Sequence, residues 1–138
     1  MRLVAVPDVP KLHTTPLAAV RVERSRVRVD LDDEEEQRLR LTFGPFQAVR
    51  VTTADCFLAP RGLRSVRQRV VEVVDSPWVE ELRAAQRQID HTATFMDRAR
   101  HFLIPAPDGV IEVVAWGVQW EGPGGSGHYP PEAAEPAG

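Results

Sequence analysis

Apolar and polar residues alternate with a period of two along most of the chain, and that period is broken once. In "AAVRVERSRVRVDL", Val20 and Val22 share one side, and beyond Glu23-Arg24-Ser25 so do Val27, Val29 and Leu31. Successive side chains of a strand point to opposite faces, so this pattern predicts a half-buried hairpin. "RLRLTFGPFQAVRVTT" sets Leu39, Leu41 and Phe43 against Arg38, Arg40 and Thr42. Gly44-Pro45 predicts a turn there, with Val49 and Val51 returning to the core as a second hairpin. A further strand, Arg67 to Val74, carries Val70, Val71, Val73 and Val74 at both parities, as expected for a strand covered on both faces.

The break comes at Asp75-Ser76-Pro77. Ser76 suits a helix cap and Pro77 the first helical position, where its missing N–H costs nothing. Trp78, Leu82, Ala85 and Ile89 then recur at helical spacing, predicting an amphipathic helix over about 77–89 with Glu80, Arg83 and Arg87 on the wet side. Asp90-His91 ends it.

The last pattern is "RHFLIPAPDGVIEVVAWGVQW", two apolar strands about Pro107-Asp108-Gly109. A three-residue loop closed by Gly109 would pair Ala106 with Val110, Ile104 with Glu112, Phe102 with Val114 and Arg100 with Trp116. In that register His101 and Glu112 face opposite ways, and Glu112 has Arg100 as its charged neighbour. Together the elements predict an α+β fold: an antiparallel sheet of about six or seven strands built from hairpins, with one main helix packed on a face.

Composition refines the boundaries. Residues 1–16 hold three prolines and predict an extended N-terminal segment, 17–120 a single α+β domain, and 121–138 a disordered Gly/Pro-rich tail. The tail's "GPGGSG" lacks the Lys-Ser/Thr pair that completes a phosphate loop, and His128 and Tyr129 within the tail receive no role. The N-terminal apolar run is short and broken by Pro7 and Pro10, and no stretch approaches a membrane span, so a soluble protein of a bacterial-type cytoplasm is expected. Cys56 is the single cysteine, which leaves no disulfide framework and no zinc cluster.

Charge narrows the function classes. The net charge of −3 supplies no global field for nucleic acid or anionic lipid. Lys11 is the only lysine, a bias that fits a GC-rich genome. Arg21, Arg26, Arg28, Arg38, Arg40 and Arg50 fall on outward strand positions. Single-strand binders interleave aromatics with such residues, and these positions offer none, so nucleic-acid binding through this face is disfavoured. The acidic run Asp30 to Glu36 has no glycine where a calcium loop needs one, and reads as a solvated connection. No cofactor and no metal is expected.

Proton chemistry is confined to a few residues. Glu112, His101 and His91 are the candidate catalytic groups, and Arg100, Arg38, Arg40 and Arg50 the candidate binding groups. Asp108 is explained by its turn. Glu112, among apolar neighbours, is either the partner of an Arg or a functional carboxylate pushed up by burial. Ser76-Pro77-Trp78, His101, Asp108 and Glu112 together resemble small uncharacterised bacterial proteins in which a Ser-Pro-Trp helix precedes a C-terminal His/Asp/Glu hairpin. The resemblance spans residues 76–115, Pro107 stands where that pattern has His, and it implies no known activity. Two classes follow. The preferred one is a non-enzymatic binding or protein-interaction domain, meeting a protein partner or a second copy through a sheet edge or apolar face. The other is a small enzyme or ligand-binding protein with a pocket between helix and sheet near Glu112 and His101.

Overall fold

The computed structural model describes residues 1–15, 18–106 and 108–131. Its strands are β1 (Arg2–Ala5), β2 (Ala19–Glu23), β3 (Arg26–Asp32), β4 (Arg38–Thr53), β5 (Val71–Val74), β6 (Arg100–Ile104), β7 (Gly109–Gly122) and β8 (Gly125–Tyr129), and its helix is α1 (Pro77–Ile89). The eight strands form one antiparallel sheet in the order β1-β5-β6-β7-β4-β3-β2, with β8 also on β7. The α+β class and the main helix are as the pattern predicts.

The sheet carries apolar side chains on both faces. One face holds the larger core, in which Val27, Val29, Leu31, Leu39, Leu41 and Phe43 meet Phe102, Ile104, Ile111 and Val113. The inward parity of β7 changes along its length, from Ile111, Val113 and Ala115 to Val118 and Trp120, so one long strand serves the same core at both ends. On the opposite face, α1 and the 3-10 turn Phe95–Arg98 cover β7 through Val79, Met96 and Val114.

Four expectations are corrected. First, Arg38–Thr53 is one continuous strand, not a hairpin. Gly44-Pro45 sits inside it, and β4 follows β7 from Arg40↔Glu121 to Thr53↔Gly109, with a bulge between Phe46 and Ala48. A strand paired along so long a partner absorbs turn-type residues as a bend.

Second, the extended N-terminal segment is built into the sheet and core, and the expected tail is ordered as far as it is described. β1 pairs with β5, and Val6, Val9 and Leu12 are buried in the larger core. The expected tail extends β7 to Gly122 and returns as β8, which pairs Val118↔Tyr129 through Gly122↔Gly125. β6 pairs β7 only from Ala115 to Ile111, and β8 takes the edge beyond it. Gly127 permits this, because a Cβ there would collide with the Trp120 ring. Residues 132–138 of that tail lie outside the described residues.

Third, α1 has the expected bounds but a shifted buried face, in which Trp78 and Leu82 pack as expected and Ala85 and Ile89 do not. Ser76 caps it by accepting the Val79 N–H at 3.2 Å. Val79 is buried and Leu82, Arg83 and Gln86 are half-buried, while Ala85 is exposed and Ile89 is 90% exposed. Arg83, expected in solvent, donates to the Met96 carbonyl at 3.2 Å. The turn that follows the helix therefore decides which side is covered.

Fourth, the β6–β7 register is displaced by one residue. Ile104 faces Ile111, Leu103 faces Glu112, and His101 faces Val114. Gly109 and Val110 are used instead to pair with Thr53 and Thr52 of β4, and the Ala54 N–H donates to the Asp108 carbonyl. A one-residue slip reverses the face of every side chain relative to its partner strand.

Candidate functional site

The displaced register brings His101 and Glu112 onto the same face, under the start of α1. His101 Nε2 lies 2.7 Å from Glu112 Oε2, and His101 Nδ1 lies 2.7 Å from Ser76 Oγ. Arg50 of β4 completes the chain, with Nε donating to Glu112 Oε1 at 2.8 Å and a second guanidinium nitrogen to Oε2 at 3.3 Å. Glu112 is paired with Arg50 and His101, not with Arg100 as the sequence register implied. Strand pairing explains the choice, since Arg50 sits directly opposite Glu112.

Donors and acceptors in this chain match one to one. The ionised Glu112 carboxylate can only accept, so His101 Nε2–H donates to it; in the neutral ring Nδ1 is then the acceptor, and Ser76 Oγ, which also accepts the Val79 N–H, donates its hydrogen there. Ser76, His101 and Glu112 are 4%, 5% and 3% exposed. Trp78 closes the top: its ring lies edge-on to the imidazole, and the Arg50 guanidinium stacks over it at 3.9 Å. Burial pushes the Glu112 carboxyl up, but the hydrogen bonds and the charge interactions of His101 and Arg50 together outweigh burial and hold it below its ordinary value.

The serine–imidazole–carboxylate order resembles a hydrolytic triad in composition. Its surroundings differ in access. None of five cavities on the described residues is lined by Ser76, His101 or Glu112. Ser76 Oγ is also committed to capping α1. Beside these groups Val79, Met96 and Val114 pack together between helix and sheet.

Ser76→Ala removes the cap and leaves His101 Nδ1 without its partner. It is expected to lower stability by about 2 kcal/mol, measured by equilibrium urea denaturation. An unchanged midpoint would refute the capping role.

The remaining candidates are dispersed. His91 is exposed beyond the C-terminus of α1, and Asp108 is exposed in the β6–β7 connection. Arg38 and Arg40 reach Asp32 and Asp30 at 3.3 and 2.9 Å, and Arg40 also approaches Glu121 at 3.9 Å. Arg28 lies 3.8 Å from Asp30. Much of the outward Arg face is thus matched by carboxylates from the acidic run, which is not merely a solvated connection. Arg100 works in a second cluster, donating to both oxygens of buried Glu72 at 3.2 and 3.1 Å, while the Tyr129 hydroxyl donates to the same carboxylate at 2.6 Å.

Glu72 and Tyr129 were not singled out by sequence. The signals were an acid inside "VVEVV" and the chain's only tyrosine placed in a Gly-rich segment. For Ser76 the sequence signals the cap and the resemblance, but not the hydrogen bond to His101. Among the described residues, no group of three His, Cys, Asp or Glu side chains is placed to hold a metal ion. Comparison with protein-family models, with curated proteins and with solved structures found no match.

Proposed function

We propose that this protein is a non-enzymatic binding domain that takes an extended segment of a protein partner along β2. The observation that carries this reading is the state of that strand. β2 ends the sheet, and all five of its residues are exposed. Val20 and Val22 are 37% and 51% exposed, although their cross-strand neighbours Val29 and Val27 are fully buried. The apolar face of β3 therefore continues into solvent on β2, beside an outer edge that no described strand pairs. Such an edge is a template for strand addition.

The buried chain supports binding over catalysis, because its groups are spent on one another and on the helix cap. Three of the residues carrying the resemblance, Ser76, His101 and Glu112, are members of this chain, which favours reading them as elements that lock the helix onto the sheet. No described helix is long and apolar enough to cross a membrane.

The test is selection of extended peptides from a displayed random library against the full chain. Peptides with alternating apolar residues should be enriched. The Val20→Glu, Val22→Glu double variant should bind them about tenfold more weakly or worse, with unchanged thermal melting. Failure to enrich such peptides, or equal binding by the variant, overturns the reading.

The composition of the Ser76–His101–Glu112 chain favours one other reading, a serine hydrolase. A fluorophosphonate probe discriminates: no labelling of Ser76 is expected, and stoichiometric labelling would put the enzyme first.

A further inference from the structure

We infer that the cleft between the loop around residues 59–68 and the end of β6 is a binding site for an organic anion with an apolar body. This site is separate from β2 and does not depend on the proposal above. The cleft has a volume of about 670 Å³, and small-molecule sites commonly run from about 300 to 1,000 Å³. Its walls include Pro60, Leu63, Pro105 and Ala106, and its cationic groups are Arg64 and Arg67.

The walls are fastened to the body. Leu63 packs with Val66 against Val71, Val73, Leu103 and Val110, a cluster on the helix-bearing face of the sheet. The Leu63 N–H donates to the Pro60 carbonyl at 3.3 Å, and Ser65 Oγ donates to the Gly62 carbonyl at 2.8 Å. Gly62 has φ +90°, a conformation that a side chain would strain. On the far side the Gln68 amide donates to the Leu12 carbonyl at 2.9 Å, and the Leu12 N–H to the Gln68 carbonyl at 2.7 Å. Leu12 itself is fully buried, so the loop is tied directly to the core.

The charge at this site is unbalanced. Arg61, Arg64, Arg67 and Arg69 fall between Asp55 and Glu72, with no acid among the residues separating those two. Elsewhere, Arg28, Arg38, Arg40, Arg50, Arg83, Arg87 and Arg100 each meet a carboxylate. Among the described residues, neither Arg64 nor Arg67 makes an ion pair or side-chain hydrogen bond. His13 also lines the cleft, and its Nε2 lies 3.6 Å from Glu36, an acid that is not itself among the lining residues. A chain that is net acidic thus keeps two unmatched guanidinium groups at the mouth of an apolar cleft. A guanidinium presents a planar fork of donors that fits carboxylate and phosphate oxygens alike. The walls would take an alkyl or aryl body, and the arginines the anionic head.

The probe is anilinonaphthalene sulfonate, an anion with an aromatic body, titrated into the folded full chain. A single saturable fluorescence gain is expected, displaced by octanoate and octyl phosphate but not by octyltrimethylammonium or octanol at the same concentration. The stronger of the two anionic displacers identifies the head group. The Arg64→Gln, Arg67→Gln double variant should weaken binding about tenfold or more, and Ala59→Trp should block the cleft, both with thermal melting unchanged. No saturable binding overturns the inference. So does equal binding by the double Arg variant, or displacement by the cation as effective as by the anions.

Discussion

Glu112→Ala is expected to destabilise the protein by about 3–5 kcal/mol, as removal of one member of a buried ion-paired network does. The truncation strips His101 Nε2 of its acceptor, releases the half-exposed Arg50 from its bidentate contact, and opens a void beneath α1. Glu112→Gln keeps the shape and loses less, about 1–3 kcal/mol. If the amide oxygen takes the His101 bond, the amide nitrogen faces the donating Arg50. A functional carboxylate kept at strain behaves in the opposite way, with the Gln variant as stable as the parent or more so. Equilibrium denaturation at neutral pH separates the two, and an unchanged or raised midpoint for Glu112→Gln would sink the structural role.

The same pair of proteins has a pH signature. The folded-state pKa of Glu112 is depressed below its ordinary carboxylate value. A depressed carboxylate contributes stability that is fully present above its unfolded pKa and is lost as pH falls through the folded value. The gap between parent and Glu112→Gln should therefore be widest near neutrality and narrow in acid. A constant gap from neutral pH down to the acid limit would show that the carboxylate is not held ionised by its partners.

Ending the chain at Gly122 is expected to cost about 3 kcal/mol or more, on the scale of burying one aromatic side chain together with a satisfied buried carboxylate. β8 places Tyr129 edge-on to Phe102 and supplies the hydroxyl that Glu72 accepts. It also covers the Val118–Gly122 edge of β7, where Trp120 is 6% exposed. Its loss leaves Glu72 with Arg100 alone in the second cluster and uncovers Trp120. Thermal melting of the truncated and full chains measures this, and a change of less than about 1 kcal/mol would mean that the composition of the segment, not its pairing, describes it.

That segment marks where composition stops being informative. Its glycines and prolines oppose order when the segment is considered alone, since ordering entropy then has little apolar burial to offset it. The offset comes from outside the segment, from a β7 edge left open because β6 is shorter. The same holds for β4. Gly44-Pro45 carries a genuine local bias for a turn, yet a partner strand running alongside both halves converts it to a bend. The apolar face of α1 was legible at Trp78 and Leu82, which pack on the Val79–Met96–Val114 cluster, but not at Ala85 and Ile89, which stay exposed because the following turn covers the other side.

What this sequence determines alone is local. Ser76-Pro77 starts the helix and Asp90 ends it, the alternating valines and leucines of β3 and early β4 choose their inward side, and the absence of helical periodicity elsewhere leaves an antiparallel sheet. These follow from a side chain's own backbone, where capping, φ restriction and strand pleat act over a few residues. The tertiary structure alone decides the β6–β7 register, the partner of Glu112 and the ordering of β8. Arg50 reaches Glu112 from 62 residues away, and a register shift of one residue is the difference between His101 facing that carboxylate and facing away from it. Such a shift leaves the local pattern nearly as good on an apolar strand buried on both faces, so only packing against β4 and α1 can select it.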